Sequence, residues 1–342
     1  MLVTIWFALW GVLWAVYFLL DGFDLGIGAM LPFLTRDESE RRAAIRSMGP
    51  FWDGNEVWLI TAGGVTFAAF PGTYAVMFSA LYSPLMLLLF ALIVRGIAIE
   101  FRGKLPGAGW RRLWDACLWI SSLAAAVLLG VAFANIFAGV PIDGAGHLRG
   151  GLPALLNPYG LLGGLLFLLL FLEHGALWLA LKSEGALRER AARAARGLWP
   201  LVLAVAAGFL AASAFTTALY RNFLAVPALF VLPGLAVGGL VMNRVWQARA
   251  AYGRAWMASG LTIVGATLWG VAGLYPNLLP SSLDPAFSLS AHKTASSPLT
   301  LGIMLGVALV MLPVVIAYQA WTHTVFFRRI DDDDLGGSAA AY

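Results

Sequence analysis

Nine stretches of about twenty or more mainly apolar residues run through this chain, at roughly 4–33, 51–70, 74–101, 114–137, 158–181, 198–219, 223–246, 256–275 and 299–326. A helix needs about 20 residues to cross a hydrocarbon layer about 30 Å thick. Backbone groups in lipid must find partners within their own segment, and these stretches are too long for barrel strands, so all nine are expected to be α-helices. Composition agrees. Of 342 residues, 61% are hydrophobic and 12% charged, and mean hydropathy is +0.82. A soluble domain carries about 25% charged residues. The charge here is too sparse to cover soluble surfaces, which excludes a soluble globular enzyme. The expected fold class is an all-α polytopic membrane protein of about nine transmembrane helices.

The cations report orientation. Loops after the odd-numbered spans hold 18 of the 22 Lys and Arg residues, from Arg36 through Arg102, Lys182 and Arg254 to Arg329. The opposite side receives Arg149, Arg221 and Lys293, and Arg95 lies within a span. The positive-inside rule therefore puts the N-terminus outside and the C-terminus in the cytoplasm. The first span lacks a basic n-region and exceeds an h-region in length, so it reads as a retained span rather than a cleaved signal. The longest connections, 138–157 and 276–298, fall outside and are too short and too rich in Pro, Gly and Ser for domains. One integral membrane domain over 1–329 is expected, with a disordered acidic tail over 330–342.

A faint internal repeat aligns Phe18-Leu-Leu-Asp-Gly22 with Phe171-Leu-Glu-His-Gly175, and Gly11 with Gly164. On this reading residues 1–138 and 158–275 form two related four-helix bundles, with a peripheral helix at 299–326.

Ionisable groups within spans are costly, about 2.5–3.5 kcal/mol each even on insertion scales. Here they are Asp21, Asp24, Asp53, Glu56, Arg95, Glu100, Glu173 and His174. Asp21 and Asp24 lie about 26–30 Å along the helix axis from Thr4, in the inner half of the first span. The second span opens with Asp53 and Glu56, and the third brings Arg95 and Glu100 to the same level. Two readings stand for this cluster. In one, short-range pairs such as Arg95 with Glu100 fix helix packing, and Asp53 and Glu56 meet a helix N-terminus. In the other, the acids form a proton entry from the cytoplasm. Asp53 and Glu56 share one helix face at i, i+3, with Asn55 beside them to support a water chain.

The remaining candidates read as structure. Cys117 sits alone in an apolar run, as a small core residue. His174 has no second histidine at ligand spacing, so a packing or hydrogen-bonding role is expected and no metal site. Trp6, Trp110, Trp114, Trp119, Trp256 and Trp321 fall near span ends, where aromatic belts form. Trp52 and Trp58 differ, because they flank the buried acids and suit the wall of a path or a subunit interface. No Walker A sequence is present and the glycines follow no strand.

The N-terminal hundred residues resemble subunit II of the cytochrome bd-type quinol oxidases. The resemblance rests on Leu20-Asp-Gly-Phe-Asp-Leu-Gly26 and Gly49-Pro-Phe-Trp-Asp-Gly-Asn-Glu-Val-Trp-Leu59. It continues through Phe70-Pro71, Tyr74-Ala75, Arg95-Gly96 and Glu100-Phe101-Arg102. The second half matches mainly in length, span count and topology. The resemblance implies a terminal oxidase of the bacterial cytoplasmic membrane that oxidises quinol and reduces dioxygen to water. Its haem b and haem d would belong to the partner, subunit I, with no catalytic haem site in this chain. Some members hold a structural quinone in the second bundle, and a small accessory subunit is compatible with the family. By the same analogy Asp24 and Asp53 belong to routes delivering cytoplasmic protons. Glu56, Arg95 and Glu100 join them on the depth argument, with Trp52 and Trp58 at an oxygen path or subunit interface. A proton-coupled secondary transporter is the alternative from another class.

Overall fold

The computed structural model describes residues 1–326; the acidic tail expected at 330–342 lies outside the described residues. Helices follow in the order α1 (Leu2–Leu34), α2 (Glu38–Met48), α3 (Trp52–Ala69), α4 (Pro71–Ala80), α5 (Tyr82–Phe101), α6 (Ala108–Ala138) and α7 (Gly151–Leu155). Then come α8 (Pro158–Lys182), α9 (Gly185–Thr216), α10 (Tyr220–Ala225), a 3-10 turn (Pro227–Phe230), α11 (Val231–Ala248) and α12 (Tyr252–Leu274). A short hairpin of β1 (Asn277–Leu279) and β2 (Leu289–Ser290) leads through α13 (Ala291–Thr294) to α14 (Pro298–Val325).

Eight of these segments are long and apolar enough to cross a membrane: α1, α5, α6, α8, α9, α11 with its 3-10 lead, α12 and α14. The remaining expected span, 51–70, is α3. Its 18 residues reach about 27 Å, and Asp53, Asn55 and Glu56 in its first two turns lower its hydropathy.

The sixth span, expected at 198–219, starts thirteen residues earlier, at Gly185, and three further features depart from the expected outline, each for a local reason. The span expected at 74–101 is two helices, α4 and α5, broken at Leu81. Pro84 lacks the N–H that would have reached the Ala80 carbonyl, so the ladder cannot run through. The span expected at 223–246 is likewise broken, because Pro227 holds Val226 in an extended conformation (φ −131°, ψ 83°). Finally, the first arginine-rich loop contains the amphipathic α2. Asp37 caps it by accepting from the Glu40 N–H at 2.9 Å, and Glu40 accepts from the Arg36 N–H at 2.7 Å.

Four helices form the centre: α1 packs on α6, α8 and α12, and α8 packs on α6 and α12. Outside them α3 lies on α1 and α5 on α6, while α9 lies on α8 and α11 on α12. The same neighbour pattern thus occurs in each half of the chain. α14 is peripheral, touching α1 and α3 with only Leu301 buried. The long connections at 138–157 and 276–298 do not form domains but zip together at the end opposite the arginines. Val140 donates to Pro280 O at 2.9 Å and Ser282 donates back to Val140 O at 3.0 Å.

Two of the expected belt tryptophans are structural. Trp6 is buried and its indole N–H donates to Leu301 O at 3.0 Å, pinning α14 to α1. Trp256 stacks on the His174 ring at 5.1 Å. Both face helices rather than the lipid interface.

The glycines of α1 decide how close the centre packs. Every residue from Asp21 to Leu31 is buried. A Cβ at Gly26 would fall 1.8 Å from the Phe171 carbonyl oxygen, and one at Gly175 would fall 2.7 Å from the Ile27 nitrogen. Backbone meets backbone there, so no side chain can rotate aside. Gly26→Val is expected to cost at least the 1–3 kcal/mol or so of an overpacked core, and to lower the melting temperature or abolish assembly. Gly63→Ala, where the added carbon meets nothing within 4 Å, should melt like wild type. Thermal melting of both purified variants in the same detergent checks this.

Candidate functional site

Tyr17, Asp21 and Asp24 recur at i, i+4 and i+7 on α1 and so share one face. All three are buried. Facing them, Arg95 of α5 is fully buried, and its Nη2 donates to Asp21 Oδ1 at 2.6 Å and to Glu56 Oε1 of α3 at 2.6 Å. One guanidinium nitrogen therefore joins three helices. Gly96 beside it is needed for the fit, since a Cβ there would come within 3.0 Å of the Trp52 ring. A second link runs from Asn55 Nδ2 to Asp24 Oδ2 at 2.8 Å and to Leu20 O at 3.0 Å.

The structure brings together Asp21, Asp24, Glu56 and Arg95 of the expected cluster, with Asn55 beside them, and adds Tyr17. It separates the others. Arg95 does not pair with Glu100, which corrects the pair expected from the sequence. Five residues along a helix turn the side chain by about 140°, so the two leave α5 on different faces. Glu100 is half-buried and makes no ion pair or hydrogen bond among the described residues. Asp53 is exposed at the first turn of α3, while Glu56, one turn on, keeps 22% of its side chain exposed. Trp52 is half-buried against Gly96. Trp58 is buried and its indole donates to Gln319 Oε1 of α14 at 2.9 Å. The signal for Tyr17 was its spacing four residues before Asp21 and seven before Asp24, which puts it on the face that carries both acids.

The cluster contains three carboxylates to one guanidinium, and it is rich in unengaged polar atoms. Asp21 Oδ2, Asp24 Oδ1, Arg95 Nε and Nη1 and the Tyr17 hydroxyl are all buried without a partner among the described residues. Buried polar groups are nearly always satisfied by protein or by water, so this is a place that water suits, with several polar partners within reach.

The other half holds a different polar group at the corresponding depth. Glu173 is buried and accepts from Asn243 Nδ2 at 2.9 Å and Gln247 Nε2 at 3.0 Å, both neutral amides of α11. His174 next to it has both ring nitrogens engaged. Nε2 donates to Leu19 O at 3.1 Å, a tautomer that the carbonyl partner requires, and Nδ1 lies 3.1 Å from Ser259 Oγ. Neither nitrogen is free for a metal or a haem iron, which matches the packing role expected for this residue.

At the arginine-rich end the cluster has a charged rim. Two turns beyond Arg95, Arg102 makes a bidentate pair with Glu38 of α2 at 2.9 Å for each bond and reaches Asp115 of α6 at 2.5 Å. Arg41 also pairs with Asp115, at 3.2 Å, and Arg190 of α9 pairs with Glu40. These contacts clamp α2 across the ends of α5, α6 and α9. Burial alone would raise the Glu38 carboxyl, but the hydrogen bonds and charge of Arg102, with Arg111 and Arg42 nearby, outweigh it and hold it below its ordinary value. A carboxyl depressed on folding stabilises fully above its unfolded pKa, about 4.3, and that contribution is lost as pH falls through the folded value. Glu38→Gln should therefore melt below wild type at pH 7, with the gap closing as pH falls below about 4. Melting curves of both proteins from pH 3 to 7 check the sign.

The family model for cytochrome bd terminal oxidase subunit II matches residues 2–326. The chain is 36% identical over 361 residues to a probable cytochrome oxidase subunit 2 of Haemophilus influenzae, covering 96% of this chain and 94% of that protein. It is 35% identical over 328 residues to the cytochrome bd ubiquinol oxidase subunit 2 of Bacillus subtilis, covering 95% and 96%. It is also 35% identical over 365 residues to the cytochrome bd-I ubiquinol oxidase subunit 2 of Escherichia coli, covering 97% and 96%. A solved structure of bd oxidase from Geobacillus thermodenitrificans shares the fold, with TM-score 0.76 at 17% identity over 96% of this chain and 99% of that one. The match sets aside the transporter alternative. A multi-pass membrane protein with this helix arrangement and this sequence, the chain belongs to the cytochrome bd terminal oxidase subunit II family.

Proposed function

We propose that this chain is the second subunit of a quinol-oxidising, dioxygen-reducing terminal oxidase of the bacterial cytoplasmic membrane, and that its buried ion cluster carries protons from the arginine-rich side toward a haem-bearing subunit I. The observation that carries the reading is an exposed carboxylate, Asp53, beside a buried network of further carboxylates. A charged group open to hydrocarbon is expensive, so the Asp53 face of α3 suits protein rather than lipid as its neighbour. Val57, Ile60 and Phe67 on the same helix are 49%, 72% and 59% exposed, an apolar surface that fits a helical partner.

Reduction of one dioxygen to two waters takes four electrons and four protons. In this chain Asp53 passes a proton to or from Glu56, one turn away on the same face. Arg95 ties Glu56 to Asp21, and Asn55 ties α3 to Asp24. Water among the unengaged oxygens and nitrogens completes the chain between Asp24 and Glu56. Glu100, without an ion-pair partner among the described residues, collects protons at the rim. Arg95 is itself no carrier: a guanidinium keeps its proton, and its role is to hold two carboxylates in place. Protons taken from one side while quinol releases its own on the other give charge separation without a pump. Trp52 and Trp58 bracket the acids and offer apolar dioxygen a wall on its way from the lipid.

Haem b and haem d belong, on this reading, to subunit I, where they supply the electron transfer and dioxygen chemistry. His174, the histidine within the helical core of this chain, has both ring nitrogens occupied and does not fit as their ligand. A cavity of about 100 Å³ between α8, α9, α11 and α12 is lined by Leu170, Phe209, Leu240 and Ile263. Its Thr262 and Thr267 hydroxyls are spent on their own helix. That apolar lining suits an isoprenoid segment of a structural quinone. A small accessory subunit would find room on α14, whose surface is almost entirely open. Residues 1–138 and 158–275 serve as two related bundles, of which the first carries the protons.

Asp53→Asn keeps the side chain's shape and removes the proton carrier. Quinol-dependent oxygen uptake should fall by about a hundredfold, the lower end of what a positioned proton-transfer group contributes, while the haem spectrum of the purified complex stays unchanged. Wild-type turnover in the assembled variant would remove Asp53 from the route.

A further inference from the structure

At the arginine-rich end of the second half, four arginines lie over aromatic rings. Arg254 and Arg249 lie 4.8 Å and 5.3 Å from the Trp246 ring, Arg188 is 5.3 Å from Tyr252, and Arg244 is 5.6 Å from Trp199. None of the four is in an ion pair among the described residues, whereas Arg41, Arg42, Arg102 and Arg111 of the first half all meet carboxylates. The sequence explains the contrast: from residue 182 to 257 the acids are Glu184 and Glu189 against eight arginines. Two guanidiniums over one indole repel each other, while the ring attracts each by cation–π interaction. Stacking occupies the face of the guanidinium and leaves its N–H edge free to donate in a fork that matches a phosphate.

We propose that Arg249 and Arg254 over Trp246, flanked by Arg188 and Arg244, form a binding site for the phosphate headgroup of an anionic membrane phospholipid. The anion relieves the repulsion of the paired guanidiniums. Arg249, Arg254 and Arg244 are exposed, while Trp246, Tyr252 and Trp199 are half-buried, so the cations stand at the surface on a fixed aromatic base. Trp199 is held in place by its indole N–H, which donates to Leu240 O at 2.8 Å. One to two turns deeper, Val241, Met242, Met257 and Leu261 are 53%, 42%, 68% and 39% exposed. That apolar surface lies where the acyl chains of a lipid bound at the arginines would run. A soluble phosphate has no use for it, so a lipid is the favoured occupant.

The test is a native-mass titration of the purified full chain, with whatever subunits accompany it, using dioleoylphosphatidylglycerol, dioleoylphosphatidylcholine and glycerol phosphate in a neutral detergent. Phosphatidylglycerol should bind well ahead of the other two. Each arginine near the membrane surface is worth roughly a fivefold change in affinity, so Arg249→Gln with Arg254→Gln should weaken phosphatidylglycerol binding by about twenty-five-fold. Arg196→Gln, exposed on α9 without a ring beneath it, should leave it unchanged. If the double variant cannot be purified, Arg254→Gln alone should lose about fivefold. Undiminished phosphatidylglycerol binding in these variants would overturn the site, as would equal binding of phosphatidylcholine. Glycerol phosphate binding as tightly as the lipid would overturn the lipid assignment.

Discussion

The fully buried guanidinium of Arg95 is the interaction on which the first half of the molecule depends. A cation in the middle of a helical membrane protein is tolerated only when its charge is met, and here a single nitrogen meets Asp21 of α1 and Glu56 of α3. The gain from such a pair is largely offset by the desolvation of both partners. What it secures is register: α1, α3 and α5 can sit at only one relative height if the three groups are to touch. Gly96 and Trp52 set the distance from α5 to α3, and the glycines of α1 let that helix sink among α6 and α8 until its acids are inside.

Arg95 also divides the labour among the acids. Asp21, almost completely buried with its cation, is committed to structure. Among the described residues Asp24 has the neutral amide of Asn55 as its side-chain partner, so a change in its protonation would break no ion pair. Glu56 stands between the two, paired to Arg95 yet partly open toward Asp53. The second half makes the contrast clear. At a similar place on α8, Glu173 is held by two amides of α11 and no guanidinium, and His174 is spent on Ser259 and the Leu19 carbonyl. The two halves share a packing pattern and differ in charge, which is why the proposed proton route is placed in the first.

Hydropathy made the helices legible because burial in lipid is a property of each residue summed along the chain. It placed α1, α8, α12 and α14 to within four residues. It could not see the breaks at Leu81 and Val226, where a single missing N–H at Pro84 or the steric demand of Pro227 outweighs the apolar run. Nor did it separate Trp6 and Trp256 from the interface tryptophans, since a position near a helix end says nothing about whether a neighbouring helix covers it. The site was legible in depth but not in rotation. Depth grows by 1.5 Å per residue and brought Asp24, Glu56, Arg95 and Glu100 to one level, whereas the 100° turn per residue decides which of them meet. That is why Glu100 drops out as a partner of Arg95 and Asp21 takes its place.

Asp21 and Asp24, neighbours on one face of one helix, differ in their partners: the first meets a guanidinium and the second a neutral amide. The most direct measurement is single-turnover proton uptake, followed with a pH dye alongside haem oxidation, in purified complexes carrying Asp24→Asn or Asp21→Asn. The account predicts that the Asp24 variant assembles with wild-type haem spectra and electron transfer but takes up protons slowly. The Asp21 variant should instead fail at assembly, because Arg95 loses its buried counter-ion. Normal proton uptake in an assembled Asp24 variant, together with a stable Asp21 variant that is slow, would contradict it.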